Sequence, residues 1–362
     1  MKKQRIAVAV SGGVDSLCAL LLLHEQGYDL VAVHGIFQEP QKLPAPAALR
    51  AEQKIAGLRA ICKSLAIPLH SPDFANLFAA RVISPFAKAW ASGFTPNPCA
   101  ICNRDMKFGA LFDFAMALGA DKFATGHYAS LAQNPHDGAV VLKRGASRKK
   151  DQSYFLGLVP RGILSRLAFP LAAHEKEFCR EFVRNRGFNP PDEAESQDIC
   201  FMVGQSCQDF LACYCRENAL LPGAPGPMIL NGKTIGRHKG LWNYTIGQRK
   251  GLGIAHSAPL YVICKDFAKN RLVLGERANL GMQKIVACAV NIFVPANLWP
   301  EKILAKFRHG GEPVPARAFY DGKLMVISLD ERHFPTARGQ VAAIYDFSEH
   351  LLAAGIVRET GA

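Results

Sequence analysis

Long apolar runs are missing from this 362-residue chain. None approaches the roughly 18 to 20 consecutive apolar residues that cross a bilayer, so no helical membrane span is expected. An export leader is not expected either: the first apolar run, Ile6 to Val10, stops at Ser11-Gly12-Gly13 and reads as a short buried strand. Internal repeats and low-complexity tracts are also lacking, which leaves out solenoid and collagen-like architectures. Acidic residues are in deficit, 30 against 43 Lys and Arg, for a net charge of +13 and a pI near 9.3. Such a balance favours a polyanionic partner, because phosphates release counterions when basic side chains approach. The chain has no even cysteine framework. Its eleven cysteines are scattered, and an odd number without a secretion signal argues for reduced thiols in the cytoplasm.

What is present suits a folded protein of two or three domains. Apolar residues make up 49% and charged residues 20%, enough to build cores without extended disorder. In the first 130 or so residues, short β-branched or small apolar runs alternate with longer amphipathic ones: Arg5 to Val10, then Leu17 to Gln26; Leu30 to His34, then Ala47 to Leu65; a helical Phe108 to Leu118, then Lys122 to Thr125. Strand and helix at this spacing predict an α/β domain with a doubly wound parallel sheet. Prolines and glycines from Pro85 to Pro98 predict a functional loop. Helix returns between Pro160 and Phe188, and a Pro-Gly cluster marks a boundary near 205–225. After about residue 280 the strands Leu304 to Arg308, Val314 to Phe319, Leu324 to Leu329 and Gln340 to Tyr345 predict a small β-barrel or sandwich. The expected division is a catalytic domain over 1–205, a small central domain over 206–280 and a C-terminal β-barrel over 281–362.

The first strand delivers Ser11-Gly12-Gly13-Val14-Asp15-Ser16 to a helix N-terminus. Unpaired backbone N–H groups, small side chains and two hydroxyls make a phosphate cradle, but without the Gly-Lys-Ser/Thr ending of a Walker loop. Ser-Gly-Gly-Val-Asp-Ser resembles the pyrophosphate loop of the ATP pyrophosphatase superfamily, whose members adenylate a substrate. The loop alone does not name that substrate.

Four further stretches choose among the members: TPNPCAICNRDMKFGALFDFA (95–115), ATGHYA (124–129), KDQSYFL (150–156) with SQDICF (196–201), and GLWNYTIGQRKGLGI (240–254). In this order they resemble the bacterial tRNA-specific 2-thiouridylases, from the first strand into the terminal barrel. The resemblance implies an adenine nucleotide α-hydrolase-like N-terminal fold and ATP-dependent thiolation of the wobble uridine of tRNA. ATP, with Mg2+, would adenylate the C2 oxygen, and sulfur arriving as a persulfide from a donor protein, a cysteine desulfurase or relay, would displace AMP. Residue by residue, it places nucleotide contacts at Ala9, Val10, Ser11, Gly12, Gly13, Val14, Asp15, Ser16 and Gly126. Cys102 matches the nucleophilic cysteine and Cys200 the persulfide carrier, each expected in a loop-like segment. Asn97, Pro98 and Cys99 match the segment holding the flipped target base. His127, Lys150, Asp151 and Gln152, and in the barrel Arg308, His309 and Gln340, match tRNA contacts. Gln38 departs from the pattern, standing where the family usually has Met at the adenine.

Three alternatives stay open at this level. Cys99, Cys102 and Cys200 supply three thiolates, the ligand count of an iron–sulfur cluster with one open iron; zinc or a redox dithiol also suits C-x-x-C. A different pyrophosphate-loop ligase would have no use for two loop cysteines. A degenerate RNA-binding or sulfur-relay protein would keep the basic surface without adenylating anything. The other eight cysteines, 18, 62, 179, 207, 213, 215, 264 and 288, read as small buried hydrophobes.

Overall fold

The computed structural model describes residues 3–39, 45–134, 137–188, 199–202, 204–218, 220 and 223–361. The Ser196–Asp198 part of the second cysteine motif lies outside them.

Strand β1 (Arg5–Ala9) buries Ile6, Ala7 and Val8, and so can sit only at the centre of a sheet covered on both faces. Helix α1 (Val14–Glu25) follows it and buries Leu17, Leu20, Leu21 and Leu23. Next come β2 (Asp29–Val33), α2 (Ala45–Ser64), β3 (Leu69–His70) and β4 (Lys122–Ala124). After them a hairpin of β5 (Ala129–Gln133) and β6 (Val140–Arg144) precedes β7 (Leu167–Ala168). All five strands of the main sheet are parallel, in the order β3-β2-β1-β4-β7, with Ala7 opposite both Val31 and Phe123. Chain direction across the sheet reverses between β1 and β4, so the loops after these two strands open a crevice at their C-terminal ends, where open α/β sheets bind ligands.

The loop expected over Pro85–Pro98 is partly helical. Ser84–Ala91 forms a helix with proline in its first turn, where the missing N–H costs nothing, and only 92–97 is irregular.

A small four-stranded sheet follows, made from β8 (Gly226–Leu230), β9 (Lys233–His238), β10 (Tyr261–Asp266) and β11 (Arg271–Gly275) in the order β10-β11-β8-β9. The last unit is a closed barrel. Its strands β12 (Met282–Ile292), β13 (Ile303–Lys306), β14 (Val314–Tyr320), β15 (Met325–His333), β16 (Val341–Tyr345) and β17 (Leu351–Gly361) close as β12-β15-β14-β13-β16-β17. Closure removes the edges that an open sheet would leave.

Barrel and catalytic unit share one core, and polar groups fix their docking. The buried Tyr154 hydroxyl lies 3.0 Å from the carbonyls of Phe307 and Val341, and Asn291 Nδ2 donates to the carbonyls of Gly157 and Val159 at 3.0 and 2.7 Å. Gln340 Nε2 donates to Thr95 O at 2.7 Å, and Thr95 N donates to Arg338 O at 2.7 Å. Asp151, 1% exposed, accepts from Arg144 Nε, Gly145 N and both the N–H and hydroxyl of Ser153, and lies 3.6 Å from Lys306 Nζ of the barrel. Its carboxylate is therefore an interior tie between units, not a surface contact. Removing one member of a buried ion network strands the remaining charges, so Asp151→Ala is expected to lose about 3–5 kcal/mol of stability. A drop in the thermal unfolding midpoint checks this; an unchanged midpoint would show that the carboxylate carries no such load.

Candidate active site

The Ser11–Ser16 loop leaves β1 with Gly12 at φ +85°, a left-handed conformation suited to glycine. Its hydroxyls brace the turn from inside: Ser16 Oγ accepts from Ser11 N at 3.0 Å and donates to Gly13 O at 3.0 Å. Asp15 is clamped from two sides. Lys176 Nζ donates to both carboxylate oxygens at 2.7 and 2.6 Å, and the Tyr128 hydroxyl donates to Oδ1 at 2.7 Å. Beside this loop, the end of β4 brings Gly126 so close that an added Cβ would lie 2.7 Å from the Asp15 carbonyl carbon and 2.8 Å from Ser16 N. Gly126 thus adjoins the Ser11–Ser16 loop, with Ala9, Val10 and Val14 forming its strand and helix flanks. His34, at the end of β2, donates from Nδ1 to Val10 O at 2.8 Å, and burial holds its pKa below the usual imidazole range.

Cys102 belongs to a separate cluster that also packs Phe37 and Phe74, which follow β2 and β3. Asn97 caps the five-residue helix Pro98–Cys102, its Oδ1 accepting from Ala100 N at 3.1 Å, with Pro98 in the first turn. Cys102 therefore closes a helix instead of standing in a loop, and it is buried while Cys99 is exposed. Cys200 is exposed on a turn, 199–202, whose neighbours Phe201 and Met202 are buried. Phe201 packs edge-on against Phe86 and Phe78 at ring distances of 5.3 and 5.9 Å. Cys102 and Met106 belong to the same apolar cluster as Phe201 and Met202, so hydrophobic packing holds the turn that carries Cys200 beside the helix that ends at Cys102, despite their distance in sequence.

The three thiols feel one another electrostatically. Burial pushes Cys102 up to about 12, with the neighbouring thiols adding to the rise, and the protein packed around Cys200 pushes it up to about 11 although part of that residue's surface is open to solvent. Cys99 is raised by the same cause. Burial favours the uncharged thiol, and only a nearby cation offsets it. Lys107 supplies that offset at all three positions.

Other expected contacts have mixed placements. His127 is buried, its Nδ1 2.8 Å from Thr125 Oγ1 and its Nε2 3.5 Å from Lys107 Nζ, so in this conformation it holds neighbours within the protein. Gln152 Oε1 accepts from Tyr128 N at 3.0 Å. Lys150 is half-buried. Arg308 and His309 are exposed, with His309 stacked on Phe155 at 4.6 Å. Phe37, beside Gln38, stacks on Phe78 at 5.6 Å. Of the remaining cysteines, 18, 62, 179 and 215 are buried as expected; Cys207 and Cys288 are half-buried, and Cys213 and Cys264 are exposed. The last two are corrections: Cys213, on the helix Cys207–Glu217, and Cys264, on β10, each lie on a solvent-exposed face. Lys107, Tyr128 and Lys176 are the site residues that sequence reasoning missed. Lys107 and Tyr128 lay inside quoted motifs, and no local pattern announced the reach of Lys176 to Asp15.

A parallel sheet with a hydroxyl-braced glycine loop at its switch point defines a protein of the HUP class. Family models agree. They match residues 4–204 as a tRNA methyl transferase HUP domain, 209–276 as a tRNA methyl transferase PRC-barrel domain and 282–357 as an aminomethyltransferase beta-barrel domain. Similar along nearly their whole length are proteins named tRNA-specific 2-thiouridylase MnmA. That of Nitratidesulfovibrio vulgaris strain Miyazaki F is 44% identical, covering 98% of this chain and 99% of that protein, and that of Aquifex aeolicus is 36% identical with the same coverage. The chain belongs to the tRNA-specific 2-thiouridylase family. Among solved structures, the U34-tRNA thiolase NcsA from Methanococcus maripaludis with its [4Fe-4S] cluster gives a TM-score of 0.35 at 15% identity, covering 60% of this chain and 68% of that one. That likeness is too low to bear on fold or cofactor.

Proposed function

We propose that this protein thiolates the wobble uridine of tRNA in the cytoplasm, using ATP with Mg2+ at the Ser11–Ser16 loop and sulfur from a persulfide donor protein. The observation that carries the reading is that Cys102 shares one apolar cluster with Ile199, Phe201 and Met202, the neighbours of Cys200. A uridine carbonyl oxygen is a poor leaving group, so adenylation first makes it one, releasing pyrophosphate. The Cys102 thiolate then attacks the inner sulfur of the Cys200 persulfide. A Cys102–Cys200 disulfide forms, the sulfane sulfur leaves as hydrosulfide, and the two thiols are oxidised as that sulfur is reduced. Hydrosulfide bonds to C2, the C2–O bond breaks, and AMP departs. A dithiol reductant restores the two thiols for the next turnover.

Asn97, Pro98 and Cys99 are read as the wall for the flipped base. Supporting a polar occupant there, Trp90 Nε1, Thr95 Oγ1 and Asn103 Oδ1 are buried without a hydrogen-bond partner among the described residues. Exposed Arg308 and His309 are read as tRNA contacts. The division at 205/206 and 280/281 separates nucleotide chemistry from the two β units. An iron–sulfur cluster is not favoured. Three thiols have the right donor chemistry, but among the described residues no group of three His, Cys, Asp or Glu side chains is arranged to hold a metal ion. No step is routed through one.

The test is purified protein with ATP, unmodified tRNA, a persulfide donor and a dithiol, followed by mass spectrometry of the wobble nucleoside. 2-Thiouridine that requires ATP supports the reading. ATP turnover with a small-molecule acceptor and no sulfur in tRNA would replace it with another ligase.

A further inference from the structure

Residues 103–110 (Asn103–Ala110) form a π-helical segment directly after Cys102. Such segments are rare and frequent at functional sites, and their i→i+5 closure places residues five apart one turn from each other. Cys102 and Lys107 are five apart. An ordinary α-helix would turn Lys107 well away from the thiol; the wider turn returns it to the same side.

The ammonium is held there by a chain of hydrogen bonds. Lys107 Nζ lies 3.5 Å from His127 Nε2. Lysine only donates, so Nε2 accepts and the ring proton sits on Nδ1, which donates to Thr125 Oγ1 at 2.8 Å. Burial and the charge of Lys107 both keep His127 neutral, which is the form able to accept. Thr125 precedes Gly126, the residue in contact distance of the phosphate loop. Arg104, the neighbouring cation, is occupied by Asp105 in a two-point ion pair at 2.6 and 2.9 Å.

We propose, resting on the sulfur-transfer reading, that Lys107 is the cation that balances anionic sulfur during the Cys102–Cys200 exchange, with His127 as the positioning residue that aims it. The thiolate attack and the departing hydrosulfide both place negative charge in low-polarity surroundings, where an unbalanced anion is costly. A charge at this point lowers that cost for either sulfur, whereas a role limited to the nucleotide would leave the free thiols unaffected.

The experiment uses the whole protein without ATP or tRNA, so it reads the proposal even if no 2-thiouridine is made. Iodoacetamide alkylation at about pH 8 is followed for each cysteine by peptide mass spectrometry, since the thiolate is the reacting form. Lys107→Met is expected to slow Cys102 and Cys200 about tenfold, Lys107→Arg to stay within about twofold of wild type, and His127→Phe to fall between. Exposed Cys213 is the unchanged control, and protected Cys18 reports that the fold is intact. If Lys107→Met exposes Cys18, the polar Lys107→Gln carries the same expectation. Equal Cys102 and Cys200 rates in wild type and in the folded neutral variant overturn the proposal.

Discussion

Cys102→Ser and Cys200→Ser are each expected to lower 2-thiouridine formation at least about a thousandfold while ATP-dependent pyrophosphate release continues, because the two chemistries sit on different elements. In the proposed mechanism adenylation uses the turn between β1 and α1. Sulfur transfer, in the same proposal, uses the end of the Pro98–Cys102 helix and the 199–202 turn. A serine hydroxyl can neither carry sulfane sulfur nor release hydrosulfide by forming a disulfide, so either substitution stops the second half and leaves adenylated tRNA to accumulate. The fold should survive: Cys200 is exposed, and the smaller, polar hydroxyl at buried Cys102 costs about 1–3 kcal/mol. Cys99→Ser separates the two-thiol route from a cluster. The two-thiol route predicts activity retained to within a few fold, whereas a three-thiolate metal site would lose its activity. Nucleoside mass spectrometry beside a pyrophosphate assay reads all three variants. Undiminished thiolation in Cys102→Ser or Cys200→Ser would remove those residues from the mechanism.

The parallel sheet was legible because its central strands are uninterrupted apolar runs. Ile6 to Val8 and Leu30 to Val33 are buried throughout, and that pattern has few other uses in a soluble chain. Its edges were not legible: Leu69–His70 and Leu167–Ala168 are two residues long, too short for any periodicity. The helix Ser84–Ala91 was hidden by Pro85, which is read as a breaker even where the first helical turn accepts it. Motif residues could be named from the chain, but their surroundings could not. Asp151 lies in a basic stretch that looks like solvated surface, and only the docked barrel brings Lys306 over it. His127 likewise gains its lysine partner from a π-helical turn that polar, non-periodic sequence does not announce. The turn that carries Cys200 is docked beside Cys102 through Phe78, Phe86 and Phe201, a long-range aromatic cluster with no local signature.

Gly126→Ala is expected to reduce ATP/pyrophosphate exchange at least about a hundredfold, the scale of a misplacement of roughly an ångström in a catalytic loop. The added methyl would meet backbone atoms of Asp15 and Ser16 at 2.7 to 2.8 Å, and a backbone contact of that kind cannot be relieved by turning a side chain. The loop cannot simply retreat either. Asp15 is pinned by Lys176 and Tyr128, and Ser16 by its bonds to Ser11 and Gly13, so any shift breaks at least one of them. The alternative is for β4 to move, which would strain its pairing with β1 across Val8 and Ala124. Overpacking of this kind costs about 1–3 kcal/mol, which a multi-domain protein with a shared core should survive. Lost exchange with a folded protein is therefore the expected outcome, measured by exchange kinetics beside a thermal melt. Retained exchange in Gly126→Ala would mean that the phosphate loop does not depend on this contact, and that nucleotide binding draws on the loop's own hydroxyl bracing alone.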